Sequence, residues 1–146
     1  MSAMTNAFEG LLIDHLFRDT SVAGVIKDNP THWYVALHTA AYGDDGAGGT
    51  EVSTSGTGYA RVGVARGTST WTKNLATNTY TVYNTADVTF ANNPTANWGQ
   101  VTHVGLWTAS TSGTLVIEAQ LQFAKTINNG DPAPKFVAGE LKFTFD

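Results

Sequence analysis

The chain has 146 residues, a length that suits one domain and can bury a sizeable core without cross-links. Only 14% of residues are charged and the net charge is −4, which excludes the basic, clustered footprint of a nucleic-acid binder and a polybasic membrane patch. There is no cysteine, which removes disulfides, thiolate nucleophiles and cysteine-type zinc or iron–sulfur sites together.

No apolar run approaches the ~18 residues of a transmembrane helix. The first stretch, MSAMTNAFEGLLIDHLFRDT, lacks the basic start and unbroken apolar core of a secretion signal, so the expectation is a soluble chain made in a cytoplasm. A helix is predicted near 6–18. Asn6 with Glu9 three residues on suits a capping box, and Phe8, Leu11, Leu12, His15 and Leu16 recur along one helical face. That stripe needs a sheet to lie on. The following stretch, with Gly24 and Asn29-Pro30, reads as a loop.

HWYVALHT gives a strand over 32–39, with Trp33, Val35 and Leu37 on one face and His32, Tyr34, Ala36 and His38 on the other. A long Gly-, Ser- and Asp-rich loop follows, of the kind that is often functional. Further strands are predicted at 59–65, 80–84, 86–91, 100–108, 113–123, 135–139 and 140–146, separated by turn signals such as Asn92-Asn93-Pro94. The stretch GTSTWTKNLATN reads as exposed loop. One helix followed by short strands implies a mainly β fold, an antiparallel β-sandwich of jelly-roll or Greek-key type with one N-terminal α-helix, in a single domain over 1–146.

Four histidines are the first candidates for chemistry. His32 and His38 share a strand face but stand roughly 20 Å apart at strand rise, so they cannot share an ion. His15 falls on the helical stripe, where a packed ring is the plain reading. His103 shares its face with Val101, Gly105 and Trp107, again a structural setting. Neither a G-x-S-x-G elbow nor an HExxH pattern occurs. Asp44, Asp45 and Glu51 lie in one Gly-rich loop without the ligand ladder of a calcium site. The expectation is no enzyme, no catalytic residue, no metal and no cofactor. Aromatic side chains remain as contact candidates. Trp71 in its loop and Tyr42 could meet a neighbouring subunit or stack on a sugar, and Phe8 and Leu12 of the helix could dock on a partner. Arg61 reads as a strand-end residue that either pairs with a nearby carboxylate, the favoured reading, or meets a neighbouring subunit.

TNAFEGLLIDHLFR, WYVALHTA, GTEVSTSGTGYARVGV, NTADVTF, NWGQVTHVGLW, GTLVIEAQL and AGELKFTFD occur in that order over nearly the whole chain. Together they resemble a family of small tailed-bacteriophage virion structural proteins, commonly labelled phage tail fibre proteins. The most specific pieces are Gly58–Arg61 and the NTADVTF and VTHVGLW blocks. The resemblance implies a virion component, in a tail fibre, baseplate or capsid decoration, assembled in the bacterial host cytoplasm. Its expected partners are other virion proteins and further copies of itself, with no nucleic acid and no membrane insertion. A receptor- or glycan-binding module at the virion surface is the alternative.

Overall fold

A computed structural model describes residues 6–18, 30–43 and 45–145. Of the loop expected after the helix, residues 19–29 lie outside the described residues. Among the described residues one helix, α1 (Asn6–Phe17), precedes ten strands: β1 (His32–Ala40), β2 (Thr50–Glu51), β3 (Val62–Ala65), β4 (Trp71–Ala76), β5 (Thr79–Asn84), β6 (Val88–Thr89), β7 (Gly99–Trp107), β8 (Leu115–Ile127), β9 (Lys135–Phe136) and β10 (Lys142–Phe145). The pairings of β1 with β2 and β7, of β7 with β8, and of β5 with β4 and β10 are all antiparallel. The mainly β, antiparallel, one-helix expectation is met. The chain divides into two compact units. One is drawn from Met1–Thr31, Ala65–Val88 and Phe136–Asp146, the other from His32–Val64 and Thr89–Lys135.

In the first unit the strand order is β10-β5-β4. The β4–β5 hairpin turns at Thr77 and Asn78, both at positive φ (48° and 67°), the requirement of a type I′ turn. Thr-Asn stands where Asn-Gly would advertise such a turn, which is why β4 reads as loop from sequence. Register places Trp71, Lys73, Tyr80, Val82, Phe143 and Phe145 on one face and Thr72, Asn74, Thr81, Tyr83 and Thr144 on the other. The helix covers the first of these. Phe17 meets Trp71 edge-on at 5.0 Å and lies 6.2 Å from both Phe143 and Phe145. The Tyr80 ring rests on Gly10, where a Cβ would come within 2.7 Å of its hydroxyl.

Two expectations are corrected here. The helix buries Glu9, Gly10, Ile13 and Phe17, whereas Leu11 is exposed and Leu12, His15 and Leu16 are half-buried. Apolar residues occur on most sides of this helix, so periodicity alone cannot select the face; the glycine that admits Tyr80 does. Trp71, expected on an exposed loop, opens β4, is completely buried, and donates its indole N–H to the Ala65 carbonyl at 3.1 Å.

Polar ties close this unit. Lys73 donates to the Gly10 carbonyl at 3.1 Å and to Asp14 at 2.6 Å, and Arg18 meets the same carboxylate at 2.8 Å. Partial burial pushes the Asp14 carboxyl up, but the two cations outweigh it and hold it below the usual carboxylate range. Asn84, buried, donates its amide to the carbonyls of Ala86 (2.7 Å) and Val137 (3.0 Å) and accepts from Leu141 N–H (2.9 Å). Asp87 accepts from Ala138 N–H at 3.1 Å and Glu140 from Val137 N–H at 3.0 Å. The NTAD and AGEL blocks thus hold one another.

In the second unit the order is β2-β1-β7-β8, with β3 also on β1. Central β1 is buried on both faces from Val35 to His38. Tyr59, Phe90 and Trp98 form an aromatic cluster with centroids 5.2 to 6.1 Å apart. Several expected strands are shorter: 59–65 begins only at Val62, 86–91 contracts to Val88–Thr89, and 135–139 to Lys135–Phe136. Gly58 has a φ of 75°, and the residues after it serve as side-chain ties. The strand expected over 113–123 runs instead from Leu115 to Ile127.

Trp71→Ala should destabilise the protein by about 3–5 kcal/mol, because a filled site is emptied. Leu75→Ala, on the same strand but 48% exposed, should cost no more than about 0.5 kcal/mol. Urea unfolding of both variants checks the contrast. Equal effects would place Trp71 on the surface.

Candidate functional site

The densest polar constellation lies in the second unit, around His38. Strand β1 places His38 opposite His103 of β7, and β8 places Glu118 opposite Gly105 of β7. The imidazole lies over Gly105, where a Cβ would stand 2.4 Å from its Cε1. Across the gap left by that glycine, Nδ1 reaches Glu118 Oε1 at 2.6 Å. The Trp107 indole N–H lies 3.2 Å from Nε2. An indole can only donate, so Nε2 accepts and the proton sits on Nδ1, donated to Glu118. His38 is fully buried. Burial pulls its pKa below the ordinary histidine value, and Glu118 opposes this without reversing it. The ring is therefore neutral at pH 7.

Tyr42 closes this arrangement from the loop after β1. Its backbone N–H donates to both Glu118 oxygens, at 3.2 and 3.0 Å. Its ring packs edge-on against His38 (4.8 Å) and Trp107 (5.5 Å) and against Gly49, where a Cβ would lie 2.2 Å from the ring. Burial, with the negative charge of Glu51, raises the Tyr42 pKa above that of a free phenol.

A second carboxylate, Glu51 of β2, sits beside His38 in register. Arg61 grips it with two parallel bonds, Nε to Oε1 at 2.9 Å and Nη2 to Oε2 at 2.6 Å. The same guanidinium donates through Nη1 to the carbonyls of Ala109 (2.8 Å) and Ser112 (2.7 Å) in the β7–β8 turn, and lies 4.0 Å from the centroid of Trp107. Four of its five donors are used, the bidentate geometry that lysine cannot copy. Tyr59 donates to Glu51 Oε1 at 2.8 Å and accepts Leu37 N–H at 2.9 Å. Burial, reinforced by Glu51, pushes its phenol far up.

The Gly58–Arg61 run is thereby explained. Gly58 makes a left-handed turn beneath the Asn93 carbonyl, which a Cβ would approach to 3.0 Å. Tyr59 and Arg61 then tie β1, β2 and the β7–β8 turn to one carboxylate. The VTHVGLW block supplies Gly105 and Trp107 to the same network.

Of the sequence candidates, Tyr42 is present but turned inward, with its ring engaged. Trp71 is buried core of the other unit, Leu12 is half-buried on α1, and the Phe8 side chain lies outside the described residues. His103 is half-buried, its Nδ1 2.8 Å from Thr102 Oγ1. The histidine beside the indole is His38. Its partner, Glu118, is eighty residues away, and only the glycine opposite, in VTHVGLW, hinted that something crosses β7 there. Among the described residues, no three His, Asp or Glu side chains gather to hold a metal, and no helix is long and apolar enough to cross a membrane. A cleft of about 260 Å³ borders Tyr42, Gly43, Gly46 and Leu115–Glu118. At its floor the Glu118 oxygens already accept His38 Nδ1–H and Tyr42 N–H.

Chemically, the arrangement joins strands. A general base needs a ring nitrogen open to substrate, and both nitrogens of His38 are committed. A family model described as Podophage GP4 fiber I protein gp80 matches residues 3–144. No curated protein matches the chain.

Because the His38 pKa is lowered on folding, the unfolded chain binds that proton first as pH falls. Stability should be fully present above the ordinary histidine value of 6.5. It should fall below that, by at most about 1.4 kcal/mol per pH unit, until the folded-state pKa is passed. Glu118, Glu51, Arg61, Tyr42 and, opposite in register, His103 are titratable or charged groups near the ring. Urea unfolding of wild type and His38→Gln from pH 5 to 8 should show this component in wild type alone; parallel profiles would contradict it.

Proposed function

The chain belongs to the family of the Podophage GP4 fiber I protein gp80, and from that membership we propose that it is a non-enzymatic building block of a tail fibre. It works by protein–protein assembly in several copies and is put together in the bacterial host cytoplasm. The observation that supports this reading most is the self-satisfied polar network. Glu118, His38, Trp107, Arg61, Glu51 and Tyr59 bind one another and the backbone of β1 and the β7–β8 turn. Such a network spends its donors and acceptors on rigidity, and a buried network of this kind fixes one geometry only when all its members are paired. Rigid geometry is what a repeated structural part needs, since weak contacts multiplied by repetition give a stable assembly.

The virion itself provides the test. The protein should remain with purified particles, in multiple copies per particle, and an antibody against it should decorate the fibres in negative-stain images. Recovery in the free lysate fraction alone, with unlabelled fibres, would overturn the reading.

A further inference from the structure

The turn that follows β8 carries the one Asn-Gly pair in the sequence, Asn129-Gly130. In such a pair the glycine has no side chain to keep its amide nitrogen away from the asparagine carboxamide, so the two can close into a five-membered ring. Asp131 N–H donates to the Asn128 carbonyl at 3.2 Å and closes the turn. Of its two central residues only Gly130 has a positive φ, 81°, the pattern of a type II turn. Asn129 itself is exposed to water.

Every main-chain N–H from Asn128 to Asp131 is committed. Asn128 N–H donates to Asp131 Oδ2 at 2.8 Å, Asn129 N–H to Asn97 Oδ1 at 2.8 Å and Gly130 N–H to the Pro94 carbonyl at 2.9 Å. Asn97 and Pro94 stand in the loop before β7, which is itself bound to β8 where Trp98 N–H meets the Ile127 carbonyl at 2.9 Å. Ring closure needs the Gly130 nitrogen freed from Pro94. It also needs that nitrogen brought alongside the Asn129 Cβ, a rotation of roughly 120° in ψ from the type II value. The closed turn denies both.

We propose that Asn129 is a covalent modification site that the native turn keeps latent; the inference goes beyond the assembly reading and does not depend on it. When the turn opens, the Gly130 nitrogen gives its proton to solvent and attacks Asn129 Cγ. The bond from Cγ to the carboxamide nitrogen breaks, and that nitrogen takes up a proton and leaves as ammonia. One water then opens the succinimide. Attack at Cγ gives aspartate, and attack at the main-chain carbonyl gives isoaspartate, whose backbone runs through the side chain; nothing is oxidised or reduced. Aspartate sets a second negative charge beside Asp131. Isoaspartate lengthens the turn by one methylene, so that Gly130 N–H no longer falls opposite the Pro94 carbonyl. A chain that opens here is thereby marked.

Peptide mapping by mass spectrometry tests this on the full chain, held at one mildly alkaline pH in buffer and in unfolding urea. The peptide containing Asn129 should gain the mass of an amide turned acid at least about tenfold faster in urea than in buffer, divided between aspartate and isoaspartate. Asn97→Ala, a change at an exposed residue that removes one acceptor, should convert faster than wild type in buffer and at the wild-type rate in urea. Hydrogen exchange reads the same tie without a substitution: the Gly130 amide should exchange at least about tenfold more slowly than in a free peptide. Equal conversion in buffer and urea, no conversion in urea, conversion at other asparagines in place of Asn129, or a Gly130 amide exchanging at the free-peptide rate would overturn the proposal. So would an Asn97→Ala chain that converts in buffer no faster than wild type.

Discussion

The second unit is organised by two carboxylates held within the protein and by what must satisfy them. A carboxylate removed from water is costly unless it is paired and hydrogen-bonded. Glu118 is met by the His38 ring and a backbone amide, and Glu51 by a bidentate arginine and a phenol. Glu118 draws its partners from β1 and the loop after it, and Glu51 draws both of its from the Gly58–Arg61 run. Removing one partner would leave charge or a polar group unmatched in at least two strands, so the arrangement is cooperative.

Trp107 links the two halves of this network. Its N–H caps His38 and its ring faces the Arg61 guanidinium. The same arginine holds two carbonyls of the β7–β8 turn. A chain with so few charged residues uses them where they lock geometry. In the first unit, Asn84, Asp87 and Glu140 perform the equivalent task with backbone groups as partners. The blocks that give the family resemblance are thus largely those that fasten turns and strands, which suits a virion part whose role is shape.

Much of the fold was legible because its signals are local. α1, β1, β5 and β7 follow from periodicity and flanking turn residues, to within a residue or two. β4 was not legible, since its type I′ turn is built on Thr77 and Asn78, and Trp71 was consequently misplaced. The helix face was misjudged because the deciding residue is Gly10, whose importance lies in the Tyr80 ring from another element. Arg61 could be read as a paired strand-end cation, but its carboxylate could not be named. The role of His38 is hidden for a similar reason: strand alternation shows the face it shares with His32, while Glu118 is brought to it only by the pairing of β7 with β8 across Gly105.

The central claim is that His38 is a neutral strut, protonated on Nδ1 and capped on Nε2. A two-bond ¹H–¹⁵N spectrum of the imidazole rings, assigned with a His38→Gln variant, reads this directly at pH 7. The account predicts a pyrrole-type Nδ1 and a pyridine-type Nε2 for His38. An imidazolium pattern, or a proton on Nε2, would contradict it and would reopen the ring to acid–base chemistry.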